Sequence, residues 1–156
     1  MQNTVRRSFL KTTLAGALAA ASLQRSALAA PDGADLMDVK FPKDPASLQP
    51  GLEAAHTPAL TLEKLDRTSV AYGKTPAGEF YRVNVQAKHE ATREHHIFGI
   101  ALYLNGALLA EHAMSQTQAE ASLPVVSFVQ RLKAGDELLA VTTCNVHGKW
   151  GRRAIV

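Results

Sequence analysis

The stretch HIFGIALYLNGALLAEHAM, residues 96–114, limits the fold more than any other part of the chain. It is almost unbroken in its apolar character as far as Leu104, stops at Asn105-Gly106, and resumes as ALLAEHAM. Asn-Gly between two apolar runs is the strongest short-range signal for a two-residue β-hairpin, because both turn residues must take positive φ. An apolar run on both sides of the pleat predicts a central strand covered on both faces. The neighbouring segments agree. In FYRVNVQA (80–87), Tyr81, Val83, Val85 and Ala87 alternate with Arg82, Asn84 and Gln86, which predicts a strand with one buried face. KLDRTSVAYG (64–73) reads as a strand joined to it by the turn-rich GKTPAGE, and LPVVSFVQ (123–130) and ELLAVTT (137–143) flank RLKAGD. Short strands with turn signals at this spacing predict an all-β protein, a sandwich rather than an α/β fold. ALTLEKL (59–65) reads as a helical turn, and the Pro- and Gly-rich residues 31–58 as an irregular, largely extended lead-in. At 156 residues the chain has room for one core.

The N-terminus belongs to targeting rather than to that core. Arg6 and Arg7 open RRSFLK, an uncharged run follows from Thr12 to Leu23, and Ala27-Leu28-Ala29 supplies an A-x-A cleavage site. This is a signal peptide over residues 1–29. A membrane-spanning helix needs about 20 apolar residues, more than this run offers. RRSFLK resembles the twin-arginine signal, which exports folded proteins to the periplasm, although Val5 stands where Ser or Thr is usual. The full chain has a formal charge of +3, but cleavage removes four of its 17 basic residues and none of its 14 acidic ones, leaving −1. The mature chain therefore carries no electrostatic signature of a nucleic-acid or membrane partner.

Exported proteins usually carry cysteines in pairs, whereas this chain has only Cys144. The thiol is buried and inert, shared between chains, or held by a metal. It lies in TTCNVHGKW (142–150), three residues before His147. On a strand those two side chains would point to opposite faces, but Asn145 and Gly148 are turn formers, and a turn lets thiol and imidazole converge. C-x-x-H alone is a weak metal signal. Further candidate ligands are His89 and His95, which bracket EATRE between two predicted strands. Six residues of strand would separate them by about 20 Å, so only a loop that doubles back brings both to one centre. His95 and His96 are adjacent, and at most one faces such a site. His56, in AAHTP, is expected to be held extended by the nearby proline. A mixed imidazole–thiolate set suits iron, zinc, copper or nickel, and spacing does not choose among them.

HEATREHHI, then CNVHGKW some fifty residues later, with AHTP upstream, together resemble the desulfoferrodoxin and superoxide reductase family, over roughly residues 52–155. The resemblance implies an immunoglobulin-like β-sandwich holding one mononuclear non-haem iron. Four histidines would lie around the metal in a plane, with a cysteine thiolate on the axis and the opposite position open to superoxide. On this sequence the implied ligands are His56, His89, His95, Cys144 and His147, within an iron-binding domain at 52–156 that follows an irregular segment at 30–51. His96 falls where the family often has tyrosine, and His112 matches no motif position. With one cysteine, the chain lacks the second, four-cysteine iron centre of some relatives and resembles the one-iron, neelaredoxin-like type. The implied reaction is reduction of superoxide to hydrogen peroxide, with re-reduction by a separate electron donor; family members are often homo-oligomers.

The family's usual Glu-Lys before the first ligand is here Ala54-Ala55, with Glu53 one place off, and Glu90 replaces the usual proline after the second histidine. Lys88 and Lys149 are the candidates for restoring positive charge over the open position. The competing expectation is a non-catalytic metal-binding or electron-transfer module on the same fold.

Overall fold

The computed structural model describes residues 34–65 and 78–156. The signal-peptide reading, with Arg6 and Arg7, lies outside the described residues, as do most of the strand expected over 64–73 and its following turn. The chain forms two short helices, α1 (Ala34–Met37) and α2 (Leu52–His56), and then the strands β1 (Ala59–Lys64), β2 (Glu79–Gln86), β3 (Ile97–Leu104) and β4 (Ala107–Ala113). Helix α3 (Gln116–Ala121) leads to β5 (Val125–Leu132), β6 (Glu137–Cys144) and β7 (Gly148–Ile155). The strands make two antiparallel sheets, ordered β1-β2-β5 and β4-β3-β6-β7. Strand β5 crosses back to pair with β2, and β6 returns between β3 and β7, the Greek-key pattern of an immunoglobulin-like sandwich. No helix among the described residues is long and apolar enough to cross a membrane.

The core lies between the sheets. Val83 and Val85 of β2, Ile100 and Leu102 of β3, Leu132 of β5 and Leu138 and Ala140 of β6 are all buried there. As expected, β3 is central and covered on both faces. Its outward Ala101 and Tyr103 pack with Leu139 and Val141 of β6, under Val39 of the N-terminal segment. Asn105 and Gly106 both take positive φ, 50° and 83°, and close the β3–β4 hairpin as the Asn-Gly pair requires. Burying the apolar faces of these strands drives the fold, at roughly 1.5–3 kcal/mol for each large side chain taken fully out of water.

Four local expectations change. Residues 59–65 form no helical turn: Leu60 and Leu62 alternate inward on β1, paired with β2, and that pairing outweighs the weak helical preference of a seven-residue piece. The lead-in is not wholly irregular, since α1 and α2 lie within it. His56 is the last residue of α2, and it is Thr57, directly before Pro58, that takes the extended conformation, with ψ 121°. Helix α3 was not foreseen, although Ser115 and Gln118 form a capping box, a sequence-visible start signal.

Candidate metal centre

The antiparallel register gathers five chain segments at one end of the sandwich. Ile97 pairs with Cys144 and Cys144 with Gly148, so the start of β3, the end of β6 and the start of β7 lie side by side. Ala59 pairs with Gln86, which brings the end of β2, and α2 just before β1, to one end of the other sheet. His56 therefore arrives on α2, His89 and His95 on the 87–96 loop, and Cys144 and His147 on the β6–β7 hairpin. The loop does double back: Thr92 N–H donates to the His95 carbonyl at 2.8 Å, and the His95 N–H returns a bond to the Thr92 carbonyl at 3.3 Å.

Four imidazoles form a closed ring in the order His56, His89, His95, His147. Neighbouring ring centroids are 4.3–4.7 Å apart with interplanar angles of 74–84°. Across the ring, His56 and His95 are nearly stacked at 5.4 Å and 27°. The nitrogens turned inward are Nε2 of His56, His89 and His95 and Nδ1 of His147, at separations of 2.9–3.3 Å. The Cys144 Sγ lies 3.8 Å from His147 Nδ1. The donor atoms of His56, His95, Cys144 and His147 all fall within 4.8 Å of one another. His89 joins through its 3.0 Å contact with His95.

The arrangement suits a cation. His56 Nδ1 donates to the Leu52 carbonyl at 2.7 Å, which fixes the tautomer and leaves Nε2 as a bare lone pair aimed into the ring. His95 Nε2 faces three other ring nitrogens at once, and one hydrogen can serve only one of them. A shared metal ion satisfies all four. The protonation states agree. Burial, then the neighbouring imidazoles of His56, His95, His147 and His96, push His89 down to about 4. Burial and adjacent histidines also hold His56 and His95 below the ordinary histidine value, against the raising effect of the Leu52 bond on His56. These rings are neutral at neutral pH, the form that ligates. Cys144 is buried, and the backbone N–H groups of Val146 and His147 both donate to its sulfur at 3.4 Å.

Two separate depressions reach this cluster. One, of about 450 Å³, is lined by His56, His89 and His95 together with Leu52, Ala55, Lys88 and Glu90. The other, of about 600 Å³, lies over Cys144 and His147 and is flanked by Lys40 and Lys149. No residue lines both. Lys88 thus stands by the face the histidines open to solvent, and Lys149 by the sulfur. Glu53 is turned elsewhere, its carboxylate accepting from the backbone N–H groups of Lys43 at 2.8 Å and Gln49 at 2.6 Å. His96 keeps its ring out of the quartet, and His112 is exposed on β4.

Two residues that sequence reading passed over hold the segments together. The Thr142 hydroxyl, fully buried, donates to the His56 carbonyl at 2.6 Å and so ties α2 to β6. Asn145, read only as a turn former, accepts from the His96 N–H at 2.9 Å and donates through its side chain to the Glu94 carbonyl at 2.9 Å. It links the hairpin that carries Cys144 and His147 to the loop that carries His95. The only sequence signal for either was its position inside a candidate ligand motif.

Comparison with known proteins agrees with this architecture. Curated proteins gave no match. One form of the superoxide reductase (neelaredoxin) from Ignicoccus hospitalis is similar with a TM-score of 0.53 and 25% identity, covering 76% of this chain and 92% of that one. A second structure of that protein gives 0.50 and 27%, covering 65% and 79%. A superoxide reductase in its oxidized state, at 23% identity and TM-score 0.50, covers 74% of this chain and 95% of its own and shares the fold. The desulfoferrodoxin family model matches residues 52–153, which hold all five clustered ligand candidates, and the chain belongs to the desulfoferrodoxin family.

Proposed function

We propose that the protein is an exported superoxide reductase that binds one non-haem iron through His56, His89, His95, His147 and Cys144. The observation that carries the reading is the closed quartet of inward imidazole nitrogens with a buried thiol to one side and an open depression to the other. Iron held there would supply the one electron that, with two protons, converts superoxide to hydrogen peroxide, and a separate donor would restore it.

The chain's own groups define the rest. Neutral imidazoles leave a metal centre positive enough to attract an anion, and one thiolate lowers that charge by a single unit. The N–H groups of Val146 and His147 hold the sulfur against rotation and spread its charge. Lys88, at the rim of the histidine face, adds positive potential where superoxide enters, in place of the lysine that Ala55 does not provide. Ligation also shields the only thiol from oxidation outside the cytoplasm. The periplasmic assignment rests on Arg6, Arg7 and the A-x-A site. Folding around iron before export would protect a weakly competing metal from copper and zinc, which bind such donors more tightly.

A second reading, a metal-binding or electron-transfer module without superoxide chemistry, is favoured by one observation: Ala55 and Leu52 line the depression, so α2 offers it no charged group. The test is metal content and the visible spectrum of the mature chain expressed with its own signal and with iron supplied, followed by pulse radiolysis with superoxide. The expected result is about one iron per chain, a thiolate-to-iron charge-transfer band absent from Cys144→Ser, and fast bimolecular decay of superoxide. Iron with the band but no reaction establishes the module. Copper or zinc in its place, or iron without the band, overturns the iron–thiolate reading.

A further inference from the structure

Residues 38–41 precede the segment matched by the family model, yet they sit against the ligand hairpin. The Lys40 backbone N–H donates to the Lys149 carbonyl at 3.0 Å, and the Gly151 N–H donates to the Lys40 carbonyl at 2.9 Å, so Lys40 adds a parallel bridge to β7 opposite Trp150. The side chains on either side of it anchor that bridge. Val39 is buried over the outer face of the β4-β3-β6-β7 sheet, and the Arg153 guanidinium lies 5.1 Å from the centre of the Phe41 ring. Gly151 makes room for both. A Cβ there would fall 2.6 Å from Val39 and 2.9 Å from Phe41. The sequence has thus placed a residue without a side chain where two apolar ones must press onto the sheet.

This docking delivers the Lys40 ammonium to the hairpin. Lys40 Nζ donates to the His147 carbonyl at 3.0 Å, across 107 residues of chain, and lies 5.7 Å from the centre of the Trp150 ring. The other side of the hairpin is already held by Asn145 to the 94–96 loop. The Lys40 side chain adds a tie to the His147 end beyond the β7 pairing and the backbone bridge. It is the peptide groups of Val146 and His147 that donate to the Cys144 sulfur, so the shape of this turn decides whether the sulfur keeps those bonds.

We infer that residues 38–41 form a strap whose Lys40 is a positioning residue: it holds the Cys144–His147 hairpin in the shape that presents both side chains to the metal. Lys40 touches neither substrate nor ligand atom and acts through the His147 backbone. The inference deepens the proposed metal-site reading and rests on it for the ligand roles of Cys144 and His147.

The experiment compares the mature chain with Lys40→Met, Lys40→Arg and Gly151→Ala. It measures backbone amide exchange at Val146 and His147 in the metal-free protein, and iron release to a chelator in the loaded protein. Loss of one partly solvated hydrogen bond should speed exchange at those two amides by about threefold to tenfold in Lys40→Met, with β3 amides unchanged. Iron should leave faster by a similar factor. Lys40→Arg, which keeps a charged donor, should stay near the parent, and Gly151→Ala, which pushes the strap off the sheet with Lys40 intact, should match Lys40→Met at the hairpin. Unchanged hairpin exchange in Lys40→Met overturns the inference, as does an Lys40→Arg protein as perturbed as Lys40→Met. Exchange in the metal-free chain reads the strap by itself, so a chain that takes up no iron refutes the metal reading without deciding this one.

Discussion

Replacing Asn145 with alanine tests whether the site is held by cross-links between its loops rather than by the metal alone. Asn145→Ala removes the two side-chain hydrogen bonds that join the loops, one accepted from the His96 N–H and one donated to the Glu94 carbonyl, both 2.9 Å long, along with a long 3.9 Å contact from the Cys144 sulfur. The bond from the Asn145 backbone N–H to the His96 carbonyl, 3.2 Å, survives. A net 0.5–1.5 kcal/mol for each bond gives a loss of roughly 1–3 kcal/mol, and the exposure of Asn145 places the expectation toward the lower end, about 1–2 kcal/mol. With a urea slope of about 1–1.5 kcal/mol/M for a domain of this size, the unfolding midpoint of the metal-free protein should fall by about 1 M. Asn145→Asp keeps the acceptor for His96 and loses the donor to Glu94, so it should cost less than alanine. In the loaded protein both changes loosen His95 relative to Cys144 and His147, and iron release should follow the same order. A midpoint and release rate unchanged in Asn145→Ala would refute the reasoning, because the two loops would then be joined by something other than this side chain.

Two further outcomes follow from the geometry. Lys88→Ala should slow the bimolecular reaction with superoxide several-fold and weaken its dependence on ionic strength, while Lys149→Ala, on the sulfur side, should change neither; equal effects of the two would place the attracting charge elsewhere. The Asp136 carboxyl is held below its ordinary value by the hydrogen bond from the Asn105 side chain, and next by the Lys133 N–H, so the stability it contributes is full above pH of about 4 and lost as pH falls through the lower folded value. Asp136→Asn should flatten that acid limb in equilibrium unfolding against pH, and an unaltered limb would show that the carboxylate is not its source.

The parts of this protein that follow simple periodicity were legible in its sequence. The Asn105-Gly106 hairpin, the two-sided burial of β3 and the alternation along β2 depend on residues adjacent in the chain, and short-range pattern captures them. The convergence of Cys144 and His147 was legible for the same reason, since a turn fixes both within four residues. The α2 helix was not. LEAAH is too short to form on its own, and it is held from outside: the distant Thr142 bonds the His56 carbonyl, and Glu53 gathers the backbone of the preceding 43–49 segment. Asn145 and Lys40 escaped for a related reason. Each acts on a partner about fifty or a hundred residues away, and nothing in the local pattern of either names that partner. The ligand set itself is carried by the resemblance to a family motif; the spacing of the histidines leaves the choice of metal and of ligands open.

The hydrogen-bond partners of Glu53 explain why it does not stand in for the charged pair that the family resemblance leads one to expect at Ala54 and Ala55. Each residue of a helix turns by about 100°, which leaves Glu53 only about 60° from His56, so helical phase alone does not keep it from the histidine face. Leu52, Ala55 and His56 line the depression, whereas both Glu53 oxygens are occupied by amides of the 43–49 segment. Its backbone partners, rather than its place on the helix, hold this carboxylate away from the depression. Moving it to the depression would break two hydrogen bonds to a charged acceptor, each worth about 1.5–3 kcal/mol when buried and less at this exposed position. Any charge brought to the histidine face must then come from outside α2. The charged residues that line it are Lys88 and Glu90, on either side of His89 in the loop that follows β2. The histidine face thus takes its charged rim from the loop that follows β2, where Lys88 and Glu90 carry opposite signs, and not from α2.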